Sequence, residues 1–204
     1  MGIYSKYLFP RLMNAGMSGE LTGFYRKEIL THARGKILEI GFGTGLNLPY
    51  YPASVKKIHT IDVNAGMNLL AFKHMEKSAI QVEYHIGDAK QLPFGDAFFD
   101  TVVSTWTLCS IKNISKALEE IYRVLKPEGK FLFVEHGLSN EAHIQKWQHV
   151  VTPIQKVMAD GCHVNRNIET LIQGAGFRFE TLTKQYAKGV PKVAGYLYYG
   201  IGRK

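Results

Sequence analysis

The chain has 204 residues, of which 46% are apolar and 21% charged, with two cysteines and a formal net charge of +8. That length suits one domain with a sizeable core, and that composition excludes a disordered or low-complexity chain. No apolar run approaches the roughly 18 residues that a membrane-spanning helix needs, and two cysteines do not make a disulfide framework.

Residues 1–9 offer no apolar core followed by a small-residue cleavage site, so no secretory signal is expected and the location is read as cytoplasmic. Residues 1–36 hold six basic against two acidic side chains, and residues 177–204 hold six against one, so the two ends are basic and the body nearly neutral. Such ends point to an anionic surface or substrate, with solubility as the plain alternative. The first bases interleave with Tyr4, Tyr7, Leu8, Phe9, Leu12, Met13 and Met17. That is the composition of a segment that lies on anionic lipid, peripheral to the inner face of a membrane, or closes over a cofactor. A helix packed on the sheet edge meets the same pattern.

Residues 18–33 have a helical apolar period. From residue 36 onward, β-rich runs at 36–40, 57–62, 81–86, 99–105 and 130–135 alternate with helical patterns at 67–77 and 114–125. Several of the strands are apolar almost throughout, as expected when both sheet faces are covered, and the alternation predicts a doubly wound α/β sheet. Residues 140–159 read as two short helices broken at Pro153, with Ile144, Trp147, Val150 or Val151, Ile154 and Met158 on the apolar side. Asn165 or Asn167 caps a further helix ending at Gly174 or Gly176, and strands at 177–185 and 192–199 close the chain.

The sharpest motif joins the first strand to Gly41, Gly43 and Gly45. Glycines there let backbone pass close to a ligand, and a side chain at Gly41 or Gly43 would fill the ligand's space. The sixth position of the turn is Leu46, so a dinucleotide cradle fits poorly. Asp62, at the end of the second strand, is suited to bond both hydroxyls of a ribose. Asp88 follows the third strand, where it can receive an adenine amino group with the Ala89 N–H on a ring nitrogen; a turn-forming Asp is the alternative.

These elements together resemble the class I methyltransferases that use S-adenosylmethionine. The resemblance rests on Glu39-x-Gly41-x-Gly43-x-Gly45, Asp62, Gly87-Asp88-Ala89, Leu92-Pro93-Phe94, Phe99-Asp100 and Arg123-Val124-Leu125-Lys126-Pro127-x-Gly129. Glu128 departs from the glycine usual in the last motif. The resemblance implies a Rossmann-like, mostly parallel seven-stranded sheet with an antiparallel last strand and an N-terminal helical lid. It divides one methyltransferase domain into a cap (1–35), a cofactor core (36–135) and substrate-side helices with closing strands (136–204). It further implies S-adenosyl-L-methionine as cofactor, held by Glu39, Gly41, Gly43, Gly45, Asn47, Asp62, Val63, Met67, Asp88, Ala89 and Thr105.

The flanks resemble a narrower group. Tyr7-Leu8-Phe9-Pro10-Arg11-Leu12, the run from Gly45 to Pro52, Leu108-Cys109-Ser110-Ile111, Glu135-His136 and Asp160-Gly161-Cys162-His163 are similar to alkyl-thiol methyltransferases and bacterial phospholipid N-methyltransferases. The expected acceptor is therefore a small molecule or lipid. A phosphatidylethanolamine-type amine comes first and a thiol second, with a non-catalytic binding protein as the other class. Nucleic acid is disfavoured, because no DNA or RNA module accompanies the charge.

Methyl transfer from a sulfonium needs alignment and exclusion of water more than covalent help. His136, after the fifth strand, is the first candidate general base, with His163 second and Tyr7 a third catalytic candidate. Either histidine can instead merely bond a neighbouring loop. Cys109 and Cys162 lack the paired spacing of a metal site and read as buried apolar fillers, so no metal is expected. Trp106, Trp147 and the Tyr196-x-Tyr198-Tyr199 run line an acceptor pocket or belong to the core.

Overall fold

The computed structural model describes residues 8–204. Seven strands follow in chain order: β1 (Ile37–Ile40), β2 (Lys57–Asp62), β3 (Gln81–Ile86), β4 (Phe99–Thr105), β5 (Leu125–His136), β6 (Arg178–Tyr186) and β7 (Tyr196–Arg203). They form one sheet in the order β3-β2-β1-β4-β5-β7-β6. The first five pair in parallel, and β7 runs antiparallel between β5 and β6. This is the expected doubly wound arrangement, and the strand order reverses at β1.

The sheet is buried on both faces because its central strands are apolar at consecutive positions. Phe131 and Phe133 point into one cluster with Leu38, Phe99, Leu118 and Ile121, while Leu132 and Val134 point into the other with Ile37, Val103, Ile29 and Leu30. The two-residue period of a strand thus divides one hydrophobic run between two cores. The first core is covered by α4 (Ile114–Val124), where Ile114, Ala117, Leu118, Ile121 and Val124 make the buried stripe. Asn113 caps this helix by accepting the Lys116 N–H at 3.3 Å. The second core is covered by α2 (Glu20–Leu30), preceded by α1 (Phe9–Met17). α3 (Asn68–Glu76) follows β2, and α6 (Ile168–Gly174) is capped by Asn167.

Three expectations are corrected. β5 begins at Leu125 rather than residue 130, because Lys126, Pro127, Glu128 and Gly129 bulge out of a ladder that pairs Phe99 with Leu125 and then Thr101 with Lys130. A bulge tolerates a proline that a paired position would reject. The last strand starts at Tyr196 and reaches Arg203, and residues 192–195 instead form one helical turn, α7 (Lys192–Gly195). Gly200 belongs inside this ladder, where a side chain would collide with the Thr181 carbonyl.

The third correction concerns α5 (Ala142–Met158), a single helix that runs through Pro153. Pro153 faces solvent, so the missing N–H and the ring disturb only the outer side of the helix. Its apolar side is also not where the periodicity put it. Trp147, Val150, Ile154, Val157 and Met158 are exposed, Trp147 at 61%, while Gln148 and Thr152 are buried. Gln148 accepts the Ser139 N–H at 2.8 Å and donates to the Gly137 carbonyl at 3.0 Å, so the helix is seated by polar bonds to the segment after β5.

Candidate active site

A cavity of about 530 Å³ opens at the carboxyl ends of β1, β2 and β4, beside the reversal of strand order where open α/β sheets bind ligands. Of the residues expected at a cofactor, Gly41, Gly43, Asn47, Asp62, Val63, Met67, Asp88, Ala89 and Thr105 line it, and so does His136. Glu39, Gly45 and His163 do not. Tyr7 lies outside the described residues.

The glycine turn is held in the left-handed region, with φ of 72° at Gly41 and 58° at Gly43. The two glycines have different reasons. A side chain at Gly41, which lines the cavity, would collide with Thr107. At Gly43 the nearest atom to an added Cβ is the Gly41 carbonyl oxygen at 3.9 Å, so that position faces open cavity. Gly45 shapes the turn from behind, donating to the Phe42 carbonyl at 3.0 Å.

Asp62 ties the turn to the second strand. One carboxylate oxygen accepts the Gly43 N–H at 2.7 Å and the other the Asn64 N–H at 2.7 Å. Burial raises its pKa, and those backbone bonds pull it part of the way back. Glu39 lies beneath the turn and binds through others: it accepts from Asn47 Nδ2 at 2.9 Å and from the Tyr51 hydroxyl at 2.6 Å. Full burial pushes its pKa up to about 7. Asn47 in turn donates to Thr105 Oγ1 at 3.0 Å and accepts from Arg26 Nε at 3.0 Å. Asp88 is exposed and ion-paired with Lys90 at 3.1 Å, while Ala89 is buried beside it.

Two charged residues of this site were missed in the sequence. Arg26, from α2, reaches the cavity wall 5% exposed, stacks at 4.9 Å over the Trp106 ring and donates to the Met17 carbonyl at 2.7 Å. Burial lowers its pKa to about 10. No local pattern distinguishes it from the other bases of a solvated helix. Glu135 is fully buried and accepts from Ser104 Oγ at 2.9 Å and from the backbone N–H groups of Thr107, Leu108 and Cys109 at 3.0, 3.0 and 3.2 Å. It folds the turn after β4, in which Trp106 takes a φ of 50°. The legible signal was a carboxylate closing an otherwise apolar run.

The remaining candidates differ from expectation. His163 is tethered away from it: Nδ1 lies 2.7 Å from the Gly161 carbonyl and 3.1 Å from that of Cys109. Two acceptors require that nitrogen to carry the proton, so His163 fastens a loop through Nδ1, and its ring does not line the cavity. Cys109 and Cys162 are not separate fillers. Their sulfurs are 3.4 Å apart, and both line the cavity beside His136. The bond to Cys162, then burial, pushes the Cys109 thiol well up. Trp106 lines the cavity, whereas Trp147 is exposed on α5 and Tyr196 and Tyr198 belong to the core. Phe9, Met13 and Met17 of α1 close one apolar side, as a helical lid would.

Residues 38–133 match the methyltransferase domain family. The chain is 32% identical over 182 residues to thiol S-methyltransferase TMT1A of Homo sapiens, covering 87% of this chain and 68% of that protein. It is 37% identical over 147 residues to thiol S-methyltransferase TMT1B of Rattus norvegicus, covering 69% of this chain but only 59% of that relative's length. Its fold superposes on a SAM-dependent methyltransferase from Thermotoga maritima with a TM-score of 0.68 at 20% identity, covering 96% of this chain and 98% of that one. The reversal of the sheet, the carboxylate-tied glycine turn beside it and a relative matched over most of both lengths agree on one ancestry: the chain belongs to the class I S-adenosylmethionine-dependent methyltransferases.

Proposed function

We propose that the protein transfers a methyl group from S-adenosylmethionine to a small lipophilic thiol. The carrying observation is one cavity lined by two unlike sets of groups: a polar cradle at Gly43 and Asp62, and the α1 side chains with Cys109, Cys162 and His136. The cradle fits the donor: the open space at Gly43 admits an adenosyl group, and Asp62 has lone pairs to spare for the ribose hydroxyls. When bound, the donor supplies an electrophilic methyl group on a sulfonium.

The chain's own residues then have separable tasks. Asp88, Ala89 and Met67, which line the cavity together, would hold the adenine. Arg26 offers a buried positive charge for the donor's carboxylate, positioned through Asn47 and Glu39. Phe9, Met13 and Met17 exclude water from the reacting atoms, which keeps the nucleophile poorly solvated and aligned. The thiol assignment draws support from the two mammalian relatives and from the apolar lining.

A second reading, methylation of a phospholipid head-group amine, is favoured by one observation. α1 and α5 both contribute to the cavity wall, and both turn apolar side chains outward, Leu12 on the first and Trp147 and Ile154 on the second. Lys146 and Lys156 flank the second stripe, a combination suited to an anionic lipid surface. Incubation with labelled S-adenosylmethionine and either an alkyl thiol or phosphatidylethanolamine vesicles separates the readings. A labelled thioether with unlabelled lipid is expected. Labelled lipid with untouched thiol would reverse the order, and donor binding without any product would leave a binding protein.

A further inference from the structure

We propose that Cys109, His136 and Cys162 form a site for one divalent cation of the zinc class, with its fourth coordination position open to the cavity. One ligand atom from each residue lies within 4.8 Å of the other two, and all three residues line the cavity. The two sulfurs stand 3.4 Å apart. Two thiolates on one tetrahedral zinc, each at about 2.3 Å, stand about 3.8 Å from one another, so the pair need part by only a few tenths of an ångström. A disulfide would instead require closure to about 2.05 Å. Two sulfurs and one imidazole nitrogen select zinc over magnesium or calcium, which prefer oxygen.

The ligands come from three places in the fold: the turn after β4, the end of β5 and the loop after α5. Each is held by backbone bonds that leave its side chain to the cavity. Glu135 grips the Cys109 N–H, the His163 N–H binds the Cys109 carbonyl at 2.9 Å, and the Cys162 N–H donates to the Ala159 carbonyl at 3.1 Å. The His136 ring is close enough to Cys109 to share a hydrogen bond with its sulfur, and its buried Nδ1 makes no other hydrogen bond among the described residues. Buried ring nitrogens are almost always satisfied, and a coordinated cation satisfies this one. Three protein ligands with an open fourth position is the arrangement of a catalytic zinc, not a structural one.

The occupant of that fourth position rests on the thiol reading above. A thiol that binds there loses its proton to water and keeps its sulfur lone pairs. One pair forms the new bond to the methyl carbon while the old carbon–sulfur bond breaks, leaving its electrons on the departing donor sulfur. A free thiol as acidic as cysteine, with a pKa near 8.5, is about 3% thiolate at pH 7, so full deprotonation raises its thiolate fraction up to about thirtyfold.

The purified full chain, reduced and stripped with chelator, is titrated with Co²⁺. Expected are one equivalent bound, thiolate-to-cobalt charge-transfer absorption and the intense visible bands of four-coordinate cobalt. Charge transfer should weaken in Cys162→Ser, and the visible bands should shift in His136→Asn. Donor-product binding, measured in parallel, verifies that each variant is folded. Zinc restored to the stripped chain should raise methylation of a thiol as acidic as cysteine by up to about thirtyfold. Weak six-coordinate absorption identical in wild type and Cys162→Ser would overturn the site, as would a chain that methylates thiols equally with and without metal; the latter leaves the thiol reading intact. Four-coordinate bands in a chain that methylates no thiol would retain the cation and remove the acceptor.

Discussion

Glu39 shows how a residue can matter to a ligand it does not line. Its carboxylate orients Asn47 and Tyr51 from a fully buried position, and Asn47 passes that order to Arg26 and Thr105 at the cavity wall. Burial raises its pKa from the ordinary 4.5 to about 7. Below pH 4.5 the group is protonated whether folded or unfolded, and its folded environment carries no ionisation penalty. As pH rises towards 7, the unfolded chain ionises first and gains on the folded one. Relative to Glu39→Gln, the native protein should therefore lose stability across that window, by about 3 kcal/mol at roughly 1.4 kcal/mol per pH unit. Urea unfolding of both proteins from pH 4.5 to 8 measures this, and parallel pH profiles would show that Glu39 is not the titrating group. The carboxylate was legible in the motif before Gly41, but its depth was not, because burial depends on what α2 and the Leu48–Tyr50 turn place over it.

Among the elements, α5 departs furthest from its own periodicity. A helix ordinarily buries its apolar stripe, yet this one buries Gln148 and Thr152 and exposes Trp147, Val150 and Ile154. The reason lies outside the helix: the chain after β5 leaves the Ser139 N–H and the Gly137 carbonyl to be satisfied, and Gln148 meets both. Truncation should accordingly behave in reverse of hydrophobicity. Gln148→Ala strands two buried polar groups and should cost about 2–4 kcal/mol, whereas Trp147→Gln should stay within about 0.5 kcal/mol. Chemical denaturation decides, and a larger loss from the tryptophan would refute the polar seating. The same outward stripe accounts for the failure to place α5's inner face from sequence. Spacing identifies a helix face, but not whether that face meets protein.

At the scale of the whole molecule, donor binding and folding are linked through Asp62, which holds the glycine turn and is proposed to hold the ribose. A ligand at one hundred times its dissociation constant stabilises the folded state by about 2.7 kcal/mol. S-adenosylhomocysteine should therefore raise the thermal midpoint of the native protein by several degrees and leave Asp62→Ala unmoved at the same concentration. A variant stabilised as much as the native protein would remove Asp62 from the site. The sequence by itself determined the alternation of strands and helices, the doubly wound sheet, the glycine turn and the two carboxylates after β2 and β3. These are encoded by local periodicity and by residues only a few positions apart. Tertiary structure alone decided that Arg26 reaches the cavity from α2, that His163 is tethered away, and that Cys109, His136 and Cys162 converge. Those contacts join positions far apart in the chain, and no local pattern carries the distance between side chains that only the packed sheet brings together.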